Sequence, residues 1–104
     1  MDNPFRFLFN KTTSILMNED AFQRCKEYVE FFIASQQLYF NDLLKVRGHV
    51  FLNEILDAFA IKRTCVGAMY GWLKGPINIS MEYSEEEKGF YLTFNCEGTI
   101  YDKI

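Results

Sequence analysis

Residues 77–94, INISMEYSEEEKGFYLTF, place apolar side chains at every second position, with mostly polar residues between them, on both sides of a charged run. A period of two is typical of strands that bury one face. The charged run at residues 84–89 predicts a hairpin turn, and residues 95–98 predict a second turn, in which a glycine suits a bulged geometry. We therefore expect a three-stranded antiparallel meander at the C-terminal end of the chain. Its apolar positions are Ile77, Ile79, Met81, Tyr83, Phe90, Leu92, Phe94, Ile100 and Ile104.

The segment upstream of this sheet predicts one long helix, over residues 19–36. Asn18 is a suitable N-cap, and the acidic residues after it favour the positive end of a helix dipole. Apolar side chains then recur at helical spacing, which indicates one buried face. The predicted buried positions are Phe22, Cys25, Val29, Phe32, Ile33 and Gln36.

A short internal repeat follows the long helix. Residues 40–44 (FNDLL) and 52–56 (LNEIL) both place an asparagine, an acid and two aliphatics after an apolar residue. The asparagine is a favoured N-cap, so the repeat predicts two short helices, near residues 42–47 and 54–60. Residues 49–52 between them are expected to be extended.

A third short helix is predicted from Thr64 to Leu73, with Thr64 as its N-cap and a Gly-Pro pair as its stop. Gly67 and Gly71 weaken this helix. Spaced by four residues, they are equally suited to letting another backbone pack closely against the chain.

The N-terminal arm, residues 1–17, is rich in phenylalanine. Phe5, Phe7 and Phe9 alternate with other residues, which favours a short strand. We expect these rings to be buried on the core of the same domain, the alternative being another chain. Residues 1–104 therefore predict a single α+β domain in which a long helix and two or three short helices precede the meander, an order similar to that of a winged helix.

Composition and charge are ordinary for a globular protein. Hydrophobic residues make up 49% and charged residues 24% of the chain, and the net charge of −3 excludes a global attraction for nucleic acid or anionic membranes. Aromatic residues are numerous, with eleven Phe, six Tyr and one Trp. No apolar run near the start is long enough for a signal core or a membrane span, so a cytoplasmic location is expected.

Residues that support catalysis or metal binding are scarce. With His49 as the single histidine, a multi-histidine metal site is impossible, and no cysteine or carboxylate lies at ligand spacing from it. No nucleophile motif or phosphate-binding glycine loop is present. The three cysteines, an odd number without a C-x-x-C pair, predict buried reduced thiols. We expect no enzymatic activity, no metal and no cofactor.

The winged-helix order raises DNA binding as an alternative. The basic middle of the chain would supply phosphate contacts through Arg47, His49, Lys62, Arg63 and Lys74. The predicted recognition helix at 64–73, however, offers few side chains that read base edges, and the predicted wing tip at 85–87 is acidic. Both features disfavour this alternative.

Four motifs in the second half of the chain are RGHVFLNE (47–54), KRT (62–64), YGW (70–72) and FNCEGTIYDKI (94–104). On these motifs the chain resembles an uncharacterised family of short proteins from Gram-positive bacteria, their phages and their mobile elements. Such proteins usually have a longer, Asp-rich connection after the Gly-Trp pair, whereas residues 73–76 lead almost directly into the strand here. The resemblance implies a phage or mobile-element setting and transfers no residue roles.

Together these observations predict a small non-enzymatic protein that binds a host or phage protein, for instance a defence or replication factor that it inhibits by occlusion. Exposed aromatic anchors carry much interface energy, so the expected contact residues are Phe5, Phe7, Tyr70, Trp72 and Tyr101. An equally open interpretation is that Tyr70 and Trp72 fill the core. A virion or oligomeric structural protein, with the N-terminal arm adding a strand to a neighbour's sheet, is a further alternative.

Overall fold

A computed structural model of the chain describes residues 5–18, 20 and 24–104. In this part of the chain two helices accompany two three-stranded antiparallel sheets, so the fold is α+β as expected. The helices are α1 (Lys26–Arg47) and α2 (Leu52–Ala58), and short 3-10 turns lie at Ile15–Asn18 and Val66–Ala68. The strands are β1 (Arg6–Phe9), β2 (Val50–Phe51), β3 (Tyr70–Trp72), β4 (Ile79–Ser84), β5 (Gly89–Phe94) and β6 (Gly98–Thr99).

The larger sheet has the strand order β1-β5-β4. The predicted hairpin forms between β4 and β5, but the third strand comes from the N-terminal arm, with Phe7 opposite Leu92 and Phe9 opposite Phe90. The prediction of a C-terminal meander is therefore wrong in its third strand. The arm completes the sheet because its alternating phenylalanines extend the apolar face of β5, and Phe9 becomes fully buried.

The C-terminal segment instead joins a second, smaller sheet of order β2-β3-β6. The predicted helix at 64–73 is also wrong, because only one 3-10 turn forms there before the chain becomes the central strand of this sheet. Thr64 caps that turn, its Oγ1 accepting the Gly67 N–H at 2.8 Å. Gly71 allows the close approach, since a Cβ at this position would lie 2.0 Å from the carbonyl oxygen of Val50.

The long helix is one element where two were predicted. α1 begins at Lys26, after a break at Cys25 that separates it from the helical residues Asp20 and Arg24, and it passes through the helix start expected at Asn41. It ends at Arg47, and Gly48, with a φ of 89°, forms a left-handed C-cap. Its buried residues are Val29, Ile33, Phe40 and Leu44. Cys25 is exposed at the N-cap position, and Phe22, predicted to be buried, lies outside the described residues.

The two asparagines of the internal repeat do not cap helices, because their side chains hydrogen-bond to the backbone of loops distant in the chain. Asn41 accepts the N–H of Ile77 at 2.8 Å and donates to its carbonyl at 2.9 Å. Asn53 accepts the N–H of Thr64 at 3.0 Å and donates to its carbonyl at 2.9 Å. Each amide thus pairs with both backbone groups of one distant residue, as a neighbouring strand would. The short helix predicted at 54–60 exists as α2, with the Glu54 carboxylate accepting the Phe51 N–H at 2.8 Å.

The core lies between α1, α2 and the inner faces of both sheets. Phe9, Phe32 and Phe59 form an aromatic cluster whose ring centroids are 5.2 to 6.5 Å apart. The largest fully buried side chain is Trp72. The core thus ties the N-terminal arm to both helices and sheets.

Candidate functional site

Four of the five predicted protein-contact residues are buried or half-buried in the structure. Trp72 is 0% exposed, and its Nε1 donates to the backbone and side-chain oxygens of Asn95, each at 3.1 Å. Phe5 and Tyr70 are half-buried, with ring centroids 5.4 Å apart, and Phe7 packs edge-on against Phe94. Tyr101 is 67% exposed. Trp72 therefore belongs to the core, which corrects its assignment as a contact residue.

The predicted phosphate-contact residues are partly engaged within the protein. Arg47 pairs with Glu54. Arg63 forms a two-point contact with Asp57, and this side-chain hydrogen bond lowers the pKa of the Asp57 carboxyl. The ring of His49 packs edge-on to Phe51, while Lys62 and Lys74 are exposed.

The recognition helix expected between these basic residues is absent, since residues 66–72 form a 3-10 turn and a strand. Its exposed helical face, on which base contacts would have depended, therefore does not exist. The acidic residues 85–87 lie in the exposed hairpin turn, where they would repel phosphates.

The motifs that carry the family resemblance build internal contacts. Glu97 accepts backbone N–H groups from three successive residues, Leu73 at 3.1 Å, Lys74 at 2.9 Å and Gly75. Asn95 accepts the N–H of Asn78 at 2.7 Å and donates to the Pro76 carbonyl at 3.0 Å. The loop between β3 and β4 is therefore held by side chains of the segment after β5.

The Glu97 contact predicts a pH-dependent stability. Partial burial alone would raise the pKa of Glu97, but the three backbone N–H groups and Lys74 outweigh it and lower the pKa below its ordinary value of 4.5. A lowered carboxyl pKa contributes stability above the unfolded-state value, and this contribution is lost as pH falls through the folded-state value. We expect the gap in melting temperature between wild type and Glu97→Gln to be constant near neutral pH and to shrink below about pH 4.5.

Thermal melts from pH 7 to pH 3 measure this gap. Glu86→Gln, in the exposed hairpin turn, is the matched control, and its melting temperature should track that of the wild type throughout. A gap for Glu97→Gln that is as large at pH 3 as at pH 7 would contradict the role given to its carboxylate.

The thiols differ from the sequence expectation. Cys25 and Cys65 are exposed, so the prediction that all three cysteines are buried is wrong. Burial raises the pKa of the Cys96 thiol to about 12. Among the described residues, no group of three His, Cys, Asp or Glu side chains is placed to hold a metal ion. The helices in that part of the chain are also too short or too polar to cross a membrane.

The outer face of α1 carries the most prominent apolar surface. Five large hydrophobic side chains of this helix are exposed on that side, Tyr28 (51% exposed) among them, and we call the four most exposed ones the outer stripe. They are Phe31 (74% exposed), Leu38 (65%), Tyr39 (57%) and Val46 (87%). At about 100° per residue they share one side of the helix, and at 1.5 Å per residue they span about 22 Å. The opposite side of the same helix carries the buried residues, so α1 is apolar on two faces.

Sequence reasoning missed the outer stripe because it ended the helix at residue 36. Leu38, Tyr39 and Val46 then had no common face with Phe31. The signal that could have revealed the stripe is the helical period, which continues from Phe31 through Val46 without a glycine or proline to interrupt it.

A shallow groove adjoins the outer stripe where α1 meets α2. Its apolar residues include Tyr39, Leu43 and Ala58, and its volume is 570 Å³. The pairs Arg47–Glu54 and Arg63–Asp57 also line it. The apolar surface therefore continues from the helix into a groove with a polar border, the usual composition of a protein interface.

A family model described as a family of unknown function (DUF6353) matches residues 6–104. No curated protein and no solved structure matches the chain. The match includes β1 and α1 as well as the motifs noted above, so it reaches beyond the second half of the chain on which the resemblance rested.

Proposed function

The chain belongs to a family of unknown function, and from its own surface we propose that it acts by binding a protein through the outer stripe of α1. The observation that carries this proposal is the exposure of Phe31, Leu38, Tyr39 and Val46 on one side of a helix whose other side is already packed. Contiguous exposed apolar surface with a polar border marks interaction sites.

The energetics favour occupation of this surface. Covering one exposed Phe, Leu or Val side chain contributes about 1.5 to 3 kcal/mol. Anchors spaced seven and eight residues apart on one helical face match the way a helix presents side chains to a groove or to another helix. The rigid helix also keeps the ordering cost low, since its backbone is already fixed.

The biological role that we attach to this binding is non-enzymatic. The resemblance to proteins of phages and mobile elements supports a cytoplasmic regulator or inhibitor that occludes a host defence or replication factor. The surface assigned to the contact differs from the one predicted from sequence, since the outer stripe replaces Trp72 as the main anchor.

Photo-crosslinking in the producing cell tests the proposal. With p-benzoylphenylalanine in place of Phe31, irradiation should give one dominant protein adduct. The same substitution at Tyr101, an exposed aromatic outside the stripe, is the matched control and should give little adduct. An adduct at position 101 with none at position 31 would move the interface to the C-terminal end and overturn the proposal.

A further inference from the structure

We infer that the partner of the outer stripe is a second copy of this chain, with the two α1 helices packed antiparallel about a two-fold axis near Leu38 and Tyr39. This inference rests on the proposed function, because it names a second copy as the occupant of the same surface, and a host factor would have to displace that copy to bind there. It is carried by the order of residues along the stripe and by the distribution of charge beside it.

The outer stripe is self-complementary when reversed. A two-fold interface requires that if residue i contacts residue j of the partner, residue j contacts the partner's residue i. With the axis midway between Leu38 and Tyr39, Phe31 lies level with the partner's Val46, and Leu38 with the partner's Tyr39. Every stripe residue then meets a stripe residue, while Tyr28, 51% exposed and one turn before Phe31, lies beyond the end of the partner's helix.

The polar residues within the stripe follow the same symmetry. Asp42 is the exposed acid on this side of the helix, and in the antiparallel arrangement it lies level with the partner's Ser35. A serine hydroxyl can donate to a carboxylate, so the acid gains a hydrogen-bond donor instead of an apolar neighbour. Ala34, a small exposed residue, lies next to this position and gives the helices room to approach.

Charge along one flank of α1 selects the antiparallel direction. Glu27 and Lys45 are 18 residues apart, which is five helical turns, so they lie on the same side of the helix, with Glu30 nearby. Antiparallel packing brings the basic end of each flank beside the acidic end of the other. Parallel packing would keep Lys45 of each helix at the level of the partner's Lys45, several turns from the partner's Glu27 and Glu30, so these opposite charges would not meet.

These flanking charges have no ionic partner within the described part of the chain. The ion pairs there join Arg6 to Glu82, Arg47 to Glu54 and Arg63 to Asp57. The other cations at the start of α1 face elsewhere, since Arg24 and Lys26 line a cleft beside Tyr83. Arg47, at the other end, is engaged by Glu54. Lys45 is therefore the cation available to the partner's Glu27 and Glu30.

Sedimentation velocity of the purified full chain tests this inference. The wild type at about 1 to 100 µM should sediment at twice the chain mass of 12.3 kDa. Phe31→Asp should weaken the dimer at least about 100-fold, because it places a charge in the apolar seam. Lys45→Glu should weaken it about tenfold by setting like charges together.

Charge reversal tests the direction of packing. Glu27→Lys with Glu30→Lys should also weaken the dimer about tenfold, and combining both with Lys45→Glu should restore it to within about threefold of wild type. Lys62→Glu, an exposed charge away from α1, is the control and should leave the mass unchanged. Circular dichroism of each variant confirms folding, which these substitutions outside the buried core should preserve.

A wild-type chain that sediments as a monomer at 100 µM would overturn the dimer. A dimer insensitive to Phe31→Asp, or one not restored by the triple charge reversal, would overturn the antiparallel seam. The proposed function fails separately: crosslinking at position 31 with no protein adduct refutes the docking surface. An adduct of a different protein, together with a monomeric chain, refutes only the identity of the partner.

Discussion

Trp72→Ala is expected to lower the free energy of unfolding by about 3 to 5 kcal/mol, the range for removing a large buried aromatic side chain. Trp72 is fully buried, and its indole N–H satisfies two oxygens of Asn95. Its loss opens a cavity in the core and also loosens the loop that Asn95 holds. Chemical denaturation with tryptophan-independent detection, such as circular dichroism at 222 nm, measures the change.

Tyr101→Ala is the control for Trp72→Ala. Tyr101 was also predicted as a contact residue but is 67% exposed, so its replacement should change stability by less than about 0.5 kcal/mol. If both variants unfold at the same denaturant concentration, Trp72 does not have the structural role described above. If Trp72→Ala folds normally but loses a partner, the original contact assignment is restored.

Gly71→Ala is expected to be the most damaging substitution of a single methyl group in the smaller sheet. The added Cβ would lie 2.0 Å from the Val50 carbonyl oxygen and 3.0 Å from the Phe51 Cα, and these backbone atoms have no rotamer by which to move away. We expect a loss of about 3 kcal/mol, the upper end of the cost of overpacking, with β2 and β3 separating. Hydrogen exchange of the Val50 to Phe51 amides would report that separation.

Gly48→Ala is the matched control for Gly71→Ala. At Gly48 an added Cβ meets nothing within 4 Å, but the φ of 89° disfavours any other residue. The expected cost is about 1 to 2 kcal/mol from backbone strain alone. Equal effects at both positions would show that the close approach of β3 to β2 is not what requires a glycine at position 71.

Elements whose pattern is local could be predicted from the chain alone. The alternation of residues 77–94 gave the β4–β5 hairpin, and alternating phenylalanines gave β1. The repeat at residues 52–56 gave α2, to within two residues. These patterns depend on one face meeting an apolar surface and do not depend on which surface that is.

The choice of strand partner could not be predicted in the same way. An alternating segment can pair with any sheet edge whose apolar face matches its own. Both the N-terminal arm and the C-terminal segment alternate, so either one could have paired with β5. The N-terminal arm pairs with β5 because Phe7 and Phe9 lie opposite the apolar residues Leu92 and Phe90. The C-terminal segment pairs with β3 instead, where Glu97 anchors it to the loop after Trp72.

The long helix shows that a residue suited to capping does not by itself predict where a helix begins. Asn41 has the features of an N-cap, but its amide reaches Ile77, 36 residues away in sequence, and the helix continues through it. A side chain that caps a local backbone group and one that clamps a distant group use the same atoms. The outer stripe was missed for this reason, since it becomes visible only when residues 26–47 are one helix.

The amino-acid sequence by itself determined the α+β class, the hairpin, the strand character of the N-terminal arm and the short helix after β2, because each follows from a period or a turn between near neighbours. Tertiary structure decided the strand order, the continuity of α1, the strand in place of a helix at residues 70–72, and the exposure of Phe31, Leu38, Tyr39 and Val46 in place of Trp72. These depend on hydrogen bonds and close contacts between segments distant in the chain, and a local pattern carries no information about which distant segment will supply them.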